Sequence, residues 1–154
     1  MKKYYKELIK NRRAWHDYTF QQTYTAGLVL AGSEVKSIRL GRANFKDAFC
    51  RVDNGEFWLY NMHVSEYQST RISEHQSPDR KRKLLLKKGE IKKIIGRINE
   101  RGMVAIPLKL FLDGNWVKVE IGIGKSKRLY EKREMLKKKN IKRDIDRALR
   151  ERNK

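Results

Sequence analysis

Short stretches rich in apolar and β-branched residues, some with strict apolar and polar alternation, are separated by turn sequences and predict a body made mainly of β-strands. The alternation is most regular in residues 116–123, where one face carries Val117, Val119, Ile121 and Ile123. Lys118, Glu120 and Gly122 lie on the other face, so this strand has one buried face and one face in solvent. Residues 17–31 are rich in Tyr, Phe, Thr, Val and Leu, which predicts a long strand, bent or bulged at Gly27.

Two turn sequences predict β-hairpins. Asp-Asn-Gly at residues 53–55 and Asp-Gly-Asn at residues 113–115 hold residues that tolerate the positive φ of a tight turn. The joined strands are expected over residues 46–52 and 56–64, and over residues 103–112 and 116–123. A further short strand is expected at residues 84–86, after a polar and basic loop over residues 65–83.

Two helices are predicted in the same part of the chain. Apolar positions at i, i+3, i+4 and i+7 are filled by Ile91, Ile94, Ile95 and Ile98. This pattern is typical of an amphipathic helix, which we expect to begin at Glu90 and to end before Gly102. A shorter helix is expected after Gly32, with Ser33 as its N-cap and Gly41 at its end.

Residues 1–124 form the predicted body and residues 125–154 a basic tail. The tail contains neither Gly nor Pro, and its 14 Lys and Arg against five Asp and Glu give a net charge of +9. Residues 1–16 are interpreted as a basic arm. A mainly β body of about six antiparallel strands with two or three helices favours an OB-fold-like barrel, because closure removes exposed strand edges. A split α+β sandwich is the alternative.

The net charge of the whole chain is +20, and this excess of Lys and Arg indicates a polyanionic partner, RNA or DNA. Three Trp, seven Tyr and five Phe favour a folded body over disorder. The single cysteine, Cys50, fits a reducing compartment. We recognise neither a secretory signal nor a membrane-spanning run in the sequence, so a cytoplasmic protein without a membrane partner is expected.

The residue patterns favour binding over catalysis. Gly-Ile-Gly-Lys-Ser at residues 122–126 resembles the end of a phosphate-binding loop, but Val119 occupies the place of that motif's first Gly. The three histidines lack metal-ligand spacing, and most acidic residues lie next to Lys or Arg. We therefore predict no catalytic residues, no metal site and no cofactor.

Three basic segments are candidate RNA contacts. Residues 80–83, Arg-Lys-Arg-Lys, follow Pro78 in a loop expected to be exposed; a solvated charge run is the alternative. His16, next to Arg12 and Arg13, is a candidate for contact with a base or a phosphate. A membrane-surface helix or a solubilising extension would also explain the tail, but folding on RNA fits best because phosphates relieve the repulsion among its cations.

Several segments together resemble the SmpB, or SsrA-binding, protein family over nearly the whole chain. The first matching sequences are Asn-Arg-Arg-Ala at 11–14, His-Asp-Tyr at 16–18, Ala-Gly at 26–27, Gly-Ser-Glu-Val-Lys-Ser at 32–37 and Gly-Arg-Ala-Asn at 41–44. The others are Arg-Lys-Arg-Lys-Leu-Leu-Leu at 80–86, Pro-Leu at 107–108, Lys-Val-Glu at 118–120 and Gly-Lys-Ser at 124–126, leading to Lys132-Arg133. Glu131 stands before that last pair where the family commonly has Asp.

The resemblance implies an RNA-binding protein that is not an enzyme. Its barrel is expected to bind the tRNA-like domain of tmRNA. Its tail, disordered alone, is expected to become helical in the decoding region and mRNA channel of a stalled ribosome during trans-translation. Arrival with aminoacylated tmRNA and elongation factor Tu is also implied. The alternative is a general OB-type RNA-binding or ribosome-associated protein without specificity for tmRNA.

The motif matches and the basic segments give two sets of candidate residues. The candidate RNA-binding residues of the body are Asn11, Arg12, Arg13, His16, Glu34, Lys36, Asn44, Arg80, Arg82 and Lys83. The candidate ribosome contacts of the tail are Gly124, Lys125, Lys127, Arg128, Tyr130, Glu131, Lys132 and Arg133.

Overall fold

The computed structural model describes residues 5–67, 77–100, 102–127 and 129–152, with side chains for all of these except residues 5 and 129–135. The strands found there are β1 (Tyr5–Lys10), β2 (Tyr18–Leu28), β3 (Ala43–Asn44), β4 (Phe49–Asp53), β5 (Glu56–Tyr60), β6 (His63–Val64), β7 (Arg82–Leu85), β8 (Met103–Asp113) and β9 (Trp116–Ser126). The helices are α1 (Arg12–Asp17), α2 (Gly32–Arg39), α3 (Lys88–Ile98) and α4 (Leu129–Arg152).

Six antiparallel strands close into a barrel. In the ring β4-β5-β7-β2-β9-β8 each strand pairs with two neighbours, and the pairing of Ala105 with Cys50 joins β8 back to β4. β9 lies along most of its length between β2 and β8. β1 is added outside the ring, on the half of β8 that runs from Lys109 to Asp113. The short strands β3 and β6 form a separate two-stranded sheet.

The interior of the barrel is the main hydrophobic core. Fully buried members from its strands include Phe57, Leu59, Leu84, Leu110, Val119, Ile121 and Ile123. α2 contributes Ile38 and α3 contributes Ile94, both with an exposed fraction of 0%. Burial of these apolar side chains is the principal force that stabilises the body.

A second apolar cluster lies on the outside of the barrel, where α1 packs on β8. It consists of Ala14 from α1 with Ile106 and Leu108 from β8. The pairing of β8 with β9 shifts between Pro107 and Lys109, and this bulge lets β8 contribute side chains both to the main core and to the outer cluster. Because the bulge adds one residue, β8 fills the core before and after it and still presents apolar side chains to α1.

The predicted fold class, mainly β with an OB-fold-like barrel, is confirmed, whereas the alternative sandwich is wrong. Both hairpins are present, and Asn54 and Gly55 have φ values of 52° and 76°, as their turn requires. The long strand is β2, and the amphipathic helix is α3, which begins two residues before Glu90. Gly41, with φ 75°, follows α2 as predicted.

Four details of the prediction need correction. The basic arm forms β1 and α1 in its described part, and neither element was predicted. Ala31, not Ser33, is the N-cap of α2. The body holds more strands than the six expected, since β1, β3 and β6 are added to the barrel. β9 continues to Ser126, so the predicted boundary at residue 124 falls inside a strand.

Gly124 provides a test of the packing between β9 and β2. A Cβ added at Gly124 would lie 2.1 Å from the carbonyl oxygen of Thr19, a main-chain atom with little freedom to move. We expect Gly124→Ala to lower the free energy of unfolding by about 3 kcal/mol, which is the upper range for overpacking. Urea denaturation of the purified variant measures this change.

Gly96 supplies the matched control. It lies within α3, has ordinary helical backbone, and an added Cβ would meet nothing within 4 Å. Gly96→Ala should therefore raise the free energy of unfolding by about 0.5–1 kcal/mol, because Ala loses less backbone entropy in a helix. Equal effects of the two substitutions would contradict the close approach of β9 and β2 at Gly124.

Candidate nucleic-acid interface

Asn11 starts α1 and fixes it to the barrel. Its Oδ1 accepts a hydrogen bond from the N–H of Ala14 at 3.2 Å, which caps the helix. Its Nδ2 donates to the carbonyl oxygen of Pro107 in β8 at 2.8 Å. Asn11 therefore positions the side chains of α1, and both polar atoms of its amide are already engaged within the protein.

α1 presents three exposed side chains that fit a polyanion, those of Arg12, Arg13 and His16. Arg13, whose side chain is 80% exposed, has its Nε 3.4 Å from a carboxylate oxygen of Asp17. His16 Nδ1 lies 3.1 Å from the other oxygen of the same carboxylate. Exposed ion pairs contribute little to stability, so Arg13 can exchange the carboxylate of Asp17 for a phosphate at small cost.

The fold brings three predicted residues, Glu34, Arg80 and Arg82, into direct contact. Arg82 Nε donates to Glu34 Oε2 at 2.7 Å, and Arg80 Nη2 donates to Glu34 Oε1. The remaining guanidinium nitrogens of Arg82 donate to the carbonyl oxygens of Met62, Pro78 and Arg80 at 2.6, 3.0 and 3.1 Å. Arg82 thus joins α2, the turn between β5 and β6, and the segment before β7 through one side chain.

Both members of the central pair are charged although they are buried. Burial alone would raise the pKa of Glu34, but hydrogen bonds from Arg80 and from the N–H of Ala31, with the charge of Arg82, lower that pKa below its usual value. Burial lowers the pKa of Arg82, and the carboxylate of Glu34 opposes that effect. A guanidinium keeps its proton in proteins, so the pair remains ionic.

The structure corrects the prediction that Arg82 lies in an exposed loop. Arg82 is the first residue of β7 and has an exposed fraction of 0%, while that of Glu34 is 4%. Strand alternation explains the burial, because Leu84, two residues later, points into the core. Neither buried side chain can reach a phosphate in this structure. Glu34 and Arg82 instead hold the segment over residues 77–81 in place.

The other predicted residues of the body remain accessible. Lys36 on α2 and Asn44 in β3 are exposed. Lys83 is half-buried on β7, with its Nζ 3.1 Å from a carboxylate oxygen of Glu56. Arg80 is partly exposed at the end of the segment that Arg82 anchors.

The first residues of the candidate set for the tail lie in or against the folded body. Gly124 is buried in β9 beneath β2, so it contacts the body rather than a partner, which corrects its place among the candidate ribosome contacts. Lys125 follows in the same strand and is exposed. The N–H of Lys127 donates to the carbonyl oxygen of Asp17 at 2.9 Å, and its Nζ donates to that of Trp15 at 3.0 Å. A cation suits this place because carbonyl groups at a helix C-terminus carry partial negative charge.

α4 is a continuous basic helix of 24 residues. Its sequence holds ten Lys and Arg against five Asp and Glu. Every side chain described in it, from residue 136 to residue 152, is exposed. Arg128 and the side chains of Tyr130, Glu131, Lys132 and Arg133 lie outside the described part of the chain.

Two surface residues next to this interface were missed in the sequence. Trp15 on α1 is 48% exposed, and Lys109 lies on the neighbouring part of β8. An aromatic residue among Arg12, Arg13 and His16 is itself a signal, because bases stack on aromatic rings. Lys109 gave no such signal, since only the bulge in β8 brings it to this surface.

Within the described ranges, none of the helices is both long enough and apolar enough to cross a membrane.

A closed antiparallel barrel with a cation-bearing helix on its outside and a long basic helix at its end has the architecture of a nucleic-acid-binding protein. A family model described as SmpB protein matches residues 8–151. The chain therefore belongs to the SmpB family, and the family predicted from the sequence is confirmed.

The sequences of individual relatives match this chain over almost its full length. The chain is 52% identical to the SsrA-binding protein of Gloeobacter violaceus over 145 residues, which cover 94% of this chain and 95% of that protein. It is 48% identical to the SsrA-binding protein of Carboxydothermus hydrogenoformans, with coverage of 96% and 98%. A chain of the solved structure "tmRNA-SmpB: a journey to the center of the bacterial ribosome" is 38% identical, has a TM-score of 0.66, and is matched over 79% of this chain and 85% of that chain.

Proposed function

We propose that this protein binds the tRNA-like domain of tmRNA through its barrel and enables tmRNA to enter stalled ribosomes for trans-translation. The observation that carries the proposal is the match to the SmpB family over residues 8–151, with relatives named SsrA-binding proteins. It acts as a binding protein rather than as an enzyme, in the cytoplasm. Elongation factor Tu with aminoacylated tmRNA is its partner during delivery.

The geometry of the body supports the first part of this proposal. Exposed cations on α1 and at the segment before β7 supply phosphate contacts, while the partly buried Asn11 and the buried pair of Glu34 and Arg82 hold these elements in place. Phosphate contacts of this kind position an RNA without reading its sequence. Recognition of one particular RNA then depends on the shape of the surfaces from which these cations project.

The tail supports the second part of the proposal, which is the entry of tmRNA into stalled ribosomes. α4 has 24 residues and a length of about 36 Å, at 1.5 Å per residue. Its described side chains are exposed, and its sequence is strongly basic. Such a helix is suited to a narrow channel lined by RNA, because phosphates on all sides neutralise its cations. We therefore assign the barrel to tmRNA, and the segment after Lys127 to the decoding region and mRNA channel.

The RNA that copurifies with the protein tests the proposal. The full chain, expressed with an affinity tag in a bacterium that contains tmRNA, should retain one dominant tRNA-like species after washing at moderate salt. Sequencing of the bound RNA identifies it. A broad mixture of RNAs would instead favour the alternative, a general RNA-binding protein without specificity for tmRNA.

The salt dependence of binding measures the phosphate contacts. The logarithm of the affinity for a transcript of the tRNA-like domain should fall linearly with the logarithm of salt, by about 0.7–0.9 per phosphate contact. Arg13→Ala should reduce this slope by about one unit or less, because Arg13 projects into solvent from α1. Lys92→Ala, an exposed lysine of α3 outside the candidate set, is the control and should leave the slope unchanged. An affinity that is independent of salt would contradict phosphate binding by the body.

A further inference from the structure

Trp15 has a large apolar side chain that is partly exposed to solvent and restricted in its movement. It lies on α1 and is 48% exposed, although the indole packs edge-on against the ring of Phe20. The ring centroids are 5.1 Å apart and the planes meet at 80°. Contact with Phe20 and the short helix restrict the movement of the indole, and about half of its surface is left for another group.

The surface beside Trp15 is a shallow cavity of about 480 Å³. Its lining residues are Glu7, Lys10, Arg12, Trp15, Leu108, Lys109 and Glu120. Lys109 Nζ lies 3.2 Å from a carboxylate oxygen of Glu120, so this pair is internally neutralised. The remaining charged groups are the exposed Lys10 and Arg12, which attract phosphate, and the exposed carboxylate of Glu7, which can accept hydrogen bonds.

We propose that Trp15 is a stacking platform for one unpaired base of a bound RNA, with Lys10 and Arg12 on the phosphates that flank this base. The inference rests on the proposed function and adds a nucleotide site that the family match does not assign. An aromatic ring beside two cations is suited to a nucleotide, because the base is flat and neutral and the phosphates are anionic. The base must be unpaired, since bases inside a duplex are already stacked on both faces.

Two RNAs offer unpaired bases of this kind, the tRNA-like domain and the RNA of the small ribosomal subunit. The hydrogen bond from Lys127 to the carbonyl oxygen of Trp15 places the platform at the base of the tail, where both RNAs can approach it. The chemistry of the site is the same for either source. Separate binding measurements with a transcript of the tRNA-like domain and with purified small subunits distinguish them.

Affinity measurements with full-length variants test the stacking. We expect Trp15→Leu to weaken binding to one of the two RNA targets by about 5- to 150-fold, the range found when one base loses an aromatic partner. Leu can still pack against Phe20 but offers no aromatic face. Trp15→Tyr should recover most of the affinity. The salt slope should stay constant in all variants because the phosphate contacts remain.

Trp116 provides the matched control. It is 75% exposed at the tip of the hairpin formed by β8 and β9, outside the cavity that contains Trp15. Trp116→Leu should leave both affinities within twofold of the original protein. An equal loss in the Trp116 and Trp15 variants would overturn the assignment of a specific site to Trp15.

Fluorescence separates stacking from a structural role. A variant with Trp58→Phe and Trp116→Phe keeps Trp15 as its single tryptophan. Stacking on a base should quench its emission when the transcript or the small subunit is added. Quenching by neither RNA, together with unchanged affinity of Trp15→Leu, would overturn the inference. If the original protein itself fails to bind the transcript selectively, the proposed function fails, and that outcome is distinct.

Discussion

Arg82→Met should lower the free energy of unfolding by about 3–5 kcal/mol, because it removes the fully buried one of the two guanidinium groups that neutralise the buried carboxylate of Glu34. The same substitution removes the hydrogen bonds to the carbonyl oxygens of Met62 and Pro78. We therefore also expect affinity for the tRNA-like transcript to fall about tenfold or more, since the segment over residues 77–81 loses its anchor. Urea denaturation and RNA titration measure the two effects.

Lys83→Met is the matched control on the next residue of β7. Its ion pair with Glu56 is half exposed, with side chains that are 39% and 46% accessible, so its loss should cost only about 0–1 kcal/mol. The double variant Glu34→Met with Arg82→Met should regain much of the lost stability, because both fully buried charges are gone and Arg80, which loses the carboxylate of Glu34, is partly exposed and can turn to solvent. It should not regain RNA affinity, since the anchor is still absent. Full recovery of both quantities would contradict the positioning role.

The dependence of stability on pH follows from the same pair. The pKa of Glu34 is lower in the folded protein than its ordinary value of 4.5, so the folded state binds this proton less readily than the unfolded state. The contribution of Glu34 to stability is therefore complete above about pH 5 and is lost as the pH falls through its folded pKa. Glu34→Gln should flatten this part of the stability profile.

Removal of residues 128–154 should abolish peptide tagging on ribosomes stalled on a truncated message, while affinity for free tmRNA stays within about threefold. The cut leaves intact β9 and the hydrogen bonds from Lys127 to the carbonyl oxygens of Asp17 and Trp15, so the barrel keeps its core and its outer helix. The tail supplies the contacts to the ribosome in the proposed function, and the body supplies those to tmRNA. Tagging assays and RNA titration with the same protein preparation separate the two activities.

A narrower change locates the contact within the tail. Lys132→Ala with Arg133→Ala should abolish tagging as the truncation does, whereas Lys138→Ala with Lys139→Ala removes the same charge from the same helix and should retain most activity. Glu131→Asp should be nearly neutral, because it keeps the charge and shortens the side chain by one methylene. Normal tagging by the first double variant would show that this pair is not the decoding-region contact. Loss of free-RNA binding by orders of magnitude would contradict the division between body and tail.

Local sequence pattern predicted the elements that depend on local chemistry. The alternation in β9, the Asn-Gly turn and the isoleucine spacing of α3 each specify an element without help from distant residues. β1 and α1 could not be predicted in this way. β1 depends on pairing with β8, about 100 residues away, and the short α1 depends on Asn11 and on burial of Ala14 against β8. Short helices of this kind are not stable without tertiary packing.

The sequence predicted which residues belong to the candidate site, but it did not predict which of them are buried. Arg82 was placed among exposed cations because its neighbours 80–83 are all basic, while the alternation with Leu84 indicates the buried face that the structure shows. Gly124 was assigned to the tail from a motif, yet its role depends on the distance between two strands. A run of charge predicts a basic surface on average. It does not specify which member of the run is neutralised inside the fold.

The attachment of Lys127 to the end of α1 has a mechanical consequence. In its helical form α4 is about 36 Å long, so a change of direction of about 10° at its first residue would displace its last residue by roughly 6 Å. The hydrogen bonds from Lys127 to the carbonyl oxygens of Asp17 and Trp15 therefore fix the position on the body from which the tail starts. A displacement of α1 moves Lys127 with it, and therefore moves the point from which the tail leaves the body.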